Sequence, residues 1–273
     1  MLPMRASYAT DPNPAFREIL RDADHDEDNL TWLRRVATDL TTESTALLLM
    51  GGIDSLHFRL RVAQSHARHD LTPSNWSHVA LLGKLGDGLE RGTVYGIPLD
   101  APRGYGFAPS SNAVVEESLA TYVKPERFPN MAFVRVPVPW TKVVEQLKRF
   151  QQQRGVLDAV ELVVQWLAFL WGVGRTGNPL VDGQGVPSAA MIEMVIGAAG
   201  FELTPGLASR SSCPEAIWQS ARWWHEYYQR ERPGQTSQET APDATRLLTG
   251  AWRIERWFVN DSDEAQQTQG SRG

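Results

Sequence analysis

The order of two hydrophobic patterns constrains the fold of this chain most. Short apolar runs of strand length lie between residues 77 and 138, and longer stretches with helical spacing of apolar residues follow Pro139. Because strand patterns precede helical ones and do not alternate with them, they predict an α+β fold in which a small antiparallel sheet packs on helices. The predicted strands are 77–85, 93–99, 113–115 and 131–138.

Helical patterns occur on both sides of this block. The spacing predicts helices over 141–150 and 157–171, a third from Pro187 to Ala199 and a fourth that begins at Pro214. Before the strands, residues 1–50 are predicted to form a helical extension, with helices over 13–23 and from Asn29 onward through the apolar run 47–49. We therefore expect a main domain over 51–230, a polar linker over 231–246, and a C-terminal segment over 247–273 with a strand or helix at 247–259 and a disordered tail.

Composition excludes several classes of function. The 27 basic and 32 acidic residues of the 273-residue chain give a net charge of −5, which argues against binding to nucleic acid. The single cysteine excludes an intramolecular disulfide, and no Cys/His spacing indicates a metal site or a cofactor. No apolar run is long enough to span a membrane. The first residues lack a signal-peptide pattern, so the protein is expected to be cytoplasmic or exported without a cleaved signal.

His78 is the histidine with the most informative position. It stands at the start of an apolar strand, directly after Trp76 and Ser77, where its ring could project from a sheet edge into a cleft. A histidine that is only packed in the structure remains an alternative at this position. Most of the ten tryptophans lie at helical spacing among apolar residues and are predicted to be core residues, with Trp76 and the pair Trp223–Trp224 as candidates for exposure.

Five segments, taken in order, resemble the circularly permuted papain-like hydrolases of the NlpC-type superfamily, which includes YiiX-like and lecithin:retinol acyltransferase-like proteins of bacterial and other origin. The segment NWSHVALL at 75–82 resembles their histidine strand, and NAVVE at 112–116 resembles a strand that ends in a glutamate. The other similar segments are MAFVRV at 131–136 with RGVLD at 154–158, SAAMIEMV at 188–195, and CPEAI at 213–217. The resemblance covers roughly residues 48–225.

The resemblance implies a catalytic set and a substrate-binding set. In the permuted order the histidine comes first and the nucleophilic cysteine comes last, at the start of a helix. The resemblance assigns the nucleophile position to Ser188, or to Pro187 if the register shifts by one. It also implies that His78 is the base and that Glu116 orients His78. Contacts with substrate are expected from Asn75, Trp76 and Asp158. The only cysteine, Cys213, falls in the closing segment and not at the start of the helix.

Serine at position 188 changes the chemistry that the scaffold implies. A thiol at a helix N-terminus beside a histidine ionises, whereas a serine hydroxyl needs a base that removes its proton during attack. Three explanations stay open: a natural pseudoenzyme, an introduced Cys→Ser change, or a working serine nucleophile.

The expected function is accordingly an amide or ester hydrolase scaffold of the peptidase, amidase or acyltransferase class that is inactive or trapped as written. The alternative is a pseudoenzyme that binds in the cleft without turnover. In either case the expected ligands are a peptide, a lipid or an acyl chain, and a protein partner is expected at the N-terminal helices.

Overall fold

The computed structural model of the protein describes residues 27–36, 45–83, 92–100, 109–154, 157–231 and 253–258. Its centre is a six-stranded antiparallel sheet, β1 (Thr45–Gly51), β2 (His78–Leu82), β3 (Thr93–Gly96), β4 (Val115–Ser118), β5 (Asn130–Val136) and β6 (Arg253–Phe258), in the order β4-β3-β2-β1-β5-β6. The helices are α1 (Asn29–Val36), α2 (Ser55–Ala63), α3 (Trp140–Gln152), α4 (Ala159–Leu170), α5 (Pro187–Ala198) and α6 (Pro214–Glu231). The predicted α+β class is confirmed.

The apolar run 47–49 forms a strand and not the predicted continuation of a helix. β1 is a central strand, paired with β2 on one side and β5 on the other, and all seven of its residues are buried. A strand that is covered on both faces needs no polar positions, so its sequence lacks the alternation that identifies a half-exposed strand. The predicted boundary at residue 50 therefore falls within β1, a central strand of the sheet.

Side chains from the two faces of β1 enter two separate hydrophobic clusters. Leu47 and Leu49 lie in the larger cluster, which the sheet forms with α2 to α6. Ala46, Leu48 and Met50 lie in the smaller one on the opposite face, together with Trp32 of α1. Trp32 and Leu33 of α1 are buried in this chain, and a protein partner at the N-terminal helices stays a prediction. The predicted helix over 13–23 lies outside the described residues.

The other predicted elements are close to the observed ones. β2, β3, β5 and helices α3 to α6 all overlap their predicted ranges, and the open choice at 247–259 is resolved by β6 as a strand. β4 is the exception, because it begins at Val115, where the predicted strand ends. Apart from Glu231, the predicted linker over 231–246 lies outside the described part of the chain, and so do residues 101–108 and the predicted tail after residue 258.

Candidate active site

The start of α5 places Ser188 at a buried helix N-terminus. Val186 is the N-cap, Pro187 occupies the first helical position, and Ser188 follows it. Pro suits that position because its fixed φ is already helical and its missing N–H has no partner there to lose. Two backbone hydrogen bonds hold the approach to the helix, from Gly185 N–H to the Arg210 carbonyl (2.7 Å) and from Val186 N–H to the Ser212 carbonyl (2.9 Å).

Gly185 is required for this approach. A Cβ at this position would lie 2.3 Å from the Ser212 carbonyl oxygen, so no side chain fits between the two backbone segments. The consequence is a helix N-terminus seated against neighbouring backbone, where Ser188 has no solvent-exposed surface. The partial positive charge of the helix N-terminus therefore acts on Ser188 in a dry environment.

The structure brings Ser188 and His78 together. Ser188 Oγ lies 3.2 Å from His78 Nδ1, although the two residues are 110 positions apart in the chain. His78 is the first residue of β2, opposite Met50 of β1, and its side chain is only 6% exposed. The predicted nucleophile position and the predicted base are thus in hydrogen-bonding distance, with α5 packed against β2.

His78 is held as a neutral imidazole. Burial lowers its pKa from 6.5 to about 3, and the nearby charge of His57 lowers it further in the same direction. When the Ser188 hydroxyl donates to Nδ1, the ring proton resides on Nε2. Nε2 is buried, and among the described residues it has no hydrogen-bond partner.

Glu116 does not orient His78. It is exposed on β4 and forms its side-chain hydrogen bond with Tyr95, its direct partner on β3. Tyr95 in turn pairs with Leu81, whose side chain lies on the face of β2 opposite to that of His78. The sequence-based assignment was wrong because the register of β4 is not readable from sequence, and a shift of one residue moves a side chain to the other face.

The backbone that faces His78 Nε2 belongs to a glycine. A Cβ built on Gly96 of β3 would lie 3.0 Å from Nε2 and 3.2 Å from Cε1 of His78. Gly96 therefore makes room for the ring, but it supplies no side-chain acceptor. A side chain at position 96 would point at His78 Nε2 and could orient the ring, but this position is a glycine.

Sequence reasoning missed the aromatic neighbour of His78. The Tyr122 ring is stacked on the His78 ring, with centroids 6.1 Å apart and an interplanar angle of 12°. Tyr122 is buried, and its hydroxyl donates to Glu117 Oε2 at 2.6 Å. Burial raises the pKa of Tyr122, and the charge of Glu117 and the hydrogen bond to it raise it further, so the phenol stays protonated. A tyrosine in a short 3-10 turn, Leu119–Tyr122, carries no sequence signal for this contact.

The three predicted substrate-binding residues have other contacts in the structure. Trp76 is fully buried, and its ring packs edge-on against Trp218 at 5.0 Å. Asp158 is the N-cap of α4, where Oδ1 accepts from the N–H groups of Val160 and Glu161, both at 3.1 Å. Asn75 differs from these two, because its buried side-chain Nδ2 has no hydrogen-bond partner within the described ranges.

A buried polar network fixes the segment that leads to His78. Gln64 Nε2 donates to the Trp76 carbonyl at 2.9 Å, and Gln64 Oε1 accepts from the N–H of Glu215 at 2.9 Å. Ser74 Oγ donates to Glu215 Oε2 at 2.6 Å. The start of α6 is thereby tied to residues 74–76, so the position of His78 depends on helices α2 and α6 as well as on the sheet.

Within the described residues, no group of three or more His, Cys, Asp or Glu side chains is arranged to hold a metal ion. No helix in the same part of the chain combines the length and hydrophobicity needed to cross a membrane. No family model, no curated protein and no solved structure matches this chain.

Proposed function

We propose that this chain is a permuted papain-like domain of the amide and ester hydrolase class that is inactive as written, because Ser188 occupies the nucleophile position. The 3.2 Å contact between Ser188 Oγ and His78 Nδ1 at the N-terminus of α5 carries this proposal. A hydroxyl or thiol at a helix N-terminus with an imidazole beside it is the arrangement that nucleophilic acyl transfer requires.

A cysteine at this position would have the chemistry that serine lacks. The helix N-terminus and the imidazole both favour the thiolate, so the Sγ proton would pass to His78 Nδ1 and the thiolate would attack the carbonyl carbon. The imidazolium would return the proton to the leaving amine or alcohol, and water would then release the acyl group. A serine hydroxyl is far less acidic than a thiol, so an imidazole whose pKa is lowered by burial removes its proton much less readily.

A second candidate function is a binding module that uses the region around Ser188 and His78 without turnover. The observation that favours it is His78 Nε2, which is buried without an acceptor beside the side-chain-free Gly96. An imidazolium at His78 would be a buried positive charge with no acceptor for its Nε2 proton among the described residues, and the cost of burying that charge opposes the state needed for catalysis. The ligand would be a peptide, an acyl chain or a segment of a partner protein.

The experiment is the Ser188→Cys substitution in the full chain, followed by reaction with iodoacetamide at pH 7. The hydrolase proposal predicts alkylation about tenfold or more faster than that of a matched buried thiol introduced by Ser77→Cys. Ser77 is the matched control because it is equally buried beside His78, but its hydroxyl bonds to the Met50 carbonyl and not to the ring. The unsubstituted chain measures the background from Cys213.

The two candidate functions give different results. If the machinery is intact, Ser188→Cys also releases p-nitrophenol from p-nitrophenyl acetate in a burst, and adding His78→Ala abolishes both the burst and the fast alkylation. A folded Ser188→Cys protein that reacts no faster than Ser77→Cys would refute the hydrolase proposal and favour the binding module.

A further inference from the structure

The His78 ring is confined on two sides by groups that do not hydrogen-bond to it. Gly96 backbone lies against Nε2, and the Tyr122 ring is stacked at an interplanar angle of 12°. Offset stacking at this separation is a favourable arrangement of two aromatic rings. Among the described residues, Ser188 is the one hydrogen-bond partner of the ring, through Nδ1.

Tyr122 is itself anchored from three directions. Its hydroxyl donates to Glu117 Oε2 at 2.6 Å, its backbone carbonyl accepts from Asn29 Nδ2 at 2.8 Å, and its ring packs against Phe128 at 5.0 Å. The ring plane of Tyr122 is therefore set by β4, by α1 and by the segment before β5. A ring fixed in this way restricts the plane that a stacked neighbour can adopt.

We infer that Tyr122 is the positioning residue of His78, and that ring stacking, with Glu117 holding the tyrosine, replaces the hydrogen-bonding group that would otherwise orient the imidazole. This inference rests on the proposed function in one respect only: the orientation of His78 matters for catalysis if the site is a hydrolase site. Glu117 acts through Tyr122, because its carboxylate lies opposite Val94 in the register and Val94 pairs with Leu82, four residues along β2 from His78.

The test measures the tautomer of His78 in the full chain labelled with 15N-histidine. His78→Asn assigns the His78 signals among those of the six histidines. In the unsubstituted protein we expect two well-separated ring nitrogen signals, because the contact with Ser188 and the fixed ring plane select one tautomer. Tyr122→Leu should move the two signals towards each other, and Tyr122→Phe, which keeps the ring but loses the bond to Glu117, should give a smaller shift.

Phe133→Leu is the matched control. Phe133 is equally buried in the same cluster as Tyr122 but is on β5. Unchanged His78 signals in Tyr122→Leu, or equal changes in Phe133→Leu, would overturn the inference. If Tyr122→Leu does not fold, the comparison of Tyr122→Phe with the unsubstituted chain decides, and an unchanged tautomer there counts against the inference.

Alkylation of Ser188→Cys separates this inference from the proposed function. Adding Tyr122→Leu should slow the reaction with iodoacetamide by about tenfold or more, since small misplacements of a catalytic group have effects of that size. Adding Phe133→Leu should not. If Ser188→Cys is itself unreactive, the proposed function fails, and the His78 tautomer still decides whether Tyr122 positions the ring.

Discussion

The buried neutral state of His78 makes the stability of the protein depend on pH. Its pKa is about 3 in the folded protein against an ordinary value of 6.5, with burial as the main cause and the charge of His57 as the second. Between these two values the unfolded chain binds a proton that the folded chain excludes. Stability from this group is therefore fully present above pH 6.5 and is lost as the pH falls towards 3.

The expected magnitude follows from the two pKa values. Below pH 6 the slope approaches ~1.4 kcal/mol per pH unit, so lowering the pH from 7.5 to 4.5 should cost about 2–3 kcal/mol of unfolding free energy through His78 alone. Carboxylates such as Asp54, whose pKa is lowered from 3.8 to about 2 chiefly by its hydrogen bond with His57, begin to contribute at the acidic end of this interval. The measurement must therefore compare the protein with a variant that lacks only the His78 titration.

His78→Asn is that variant, because an asparagine amide places a polar atom near the position of Nδ1 and can still bond to Ser188. Urea unfolding at pH 7.5 and pH 4.5 gives the free energy for both proteins. We expect the unsubstituted chain to lose about 2–3 kcal/mol more than His78→Asn over this interval. Parallel pH dependence of the two proteins would show that His78 is not buried in a neutral state, and the account of the site would be refuted.

Three further outcomes follow from single contacts. Gly96→Ala should lower the melting temperature, because its Cβ would lie 3.0 Å from His78 Nε2, whereas Gly197→Ala in α5 has nothing within 4 Å and should not; equal shifts would contradict the packing of the ring. Asp158→Ala removes the cap of α4 and should lower the free energy of unfolding in urea by ~1 kcal/mol, while the 15N signals of His78 stay unchanged. A residue that only contacts substrate would cause no such loss of stability. Cys213, buried with its pKa raised by burial to about 12, should react with Ellman's reagent only as fast as the chain unfolds, and rapid labelling in native buffer would contradict its placement.

The order of elements was predictable, and the two-sided burial of β1 was not. Most strands and helices have a sequence period that identifies their type, and Pro187 and Pro214 mark the starts of two helices. The run Leu47–Leu48–Leu49 has no period, since all three side chains are buried, and apolar runs of this length suit a core strand and a buried helix equally. Only the tertiary partners β2 and β5 decide between them.

The candidate site, like the fold, could be predicted from the sequence only in part. Ser188 and His78 were identified from the order of segments, because a helix start and a strand start carry local signals. The group that orients His78 was not identified, because its identity depends on which residues of β3 and β4 lie on the same face of the sheet as His78. The face of each residue cannot be assigned before the register of the strands is known. Glu116 and Glu117 are adjacent in sequence, yet one bonds to Tyr95 and the other to Tyr122 on the two faces of the sheet.

The surroundings of residue 188 suit an uncharged serine–histidine pair better than a charged cysteine–histidine pair. A neutral hydroxyl and a neutral imidazole satisfy each other in a dry environment without charge, and the one unpaired atom is Nε2. A thiolate–imidazolium pair would place two charges in the same environment and would leave the charged ring with an unpaired N–H at Gly96, which adds a desolvation cost that the attraction between the charges must exceed. Ser188→Cys is therefore expected to raise the pKa of His78 only if the pair gains solvent or an acceptor for Nε2. A His78 pKa that remains low in Ser188→Cys, measured from the same 15N signals, would mean that the surroundings of the pair, and not only residue 188, are adapted to a site without turnover.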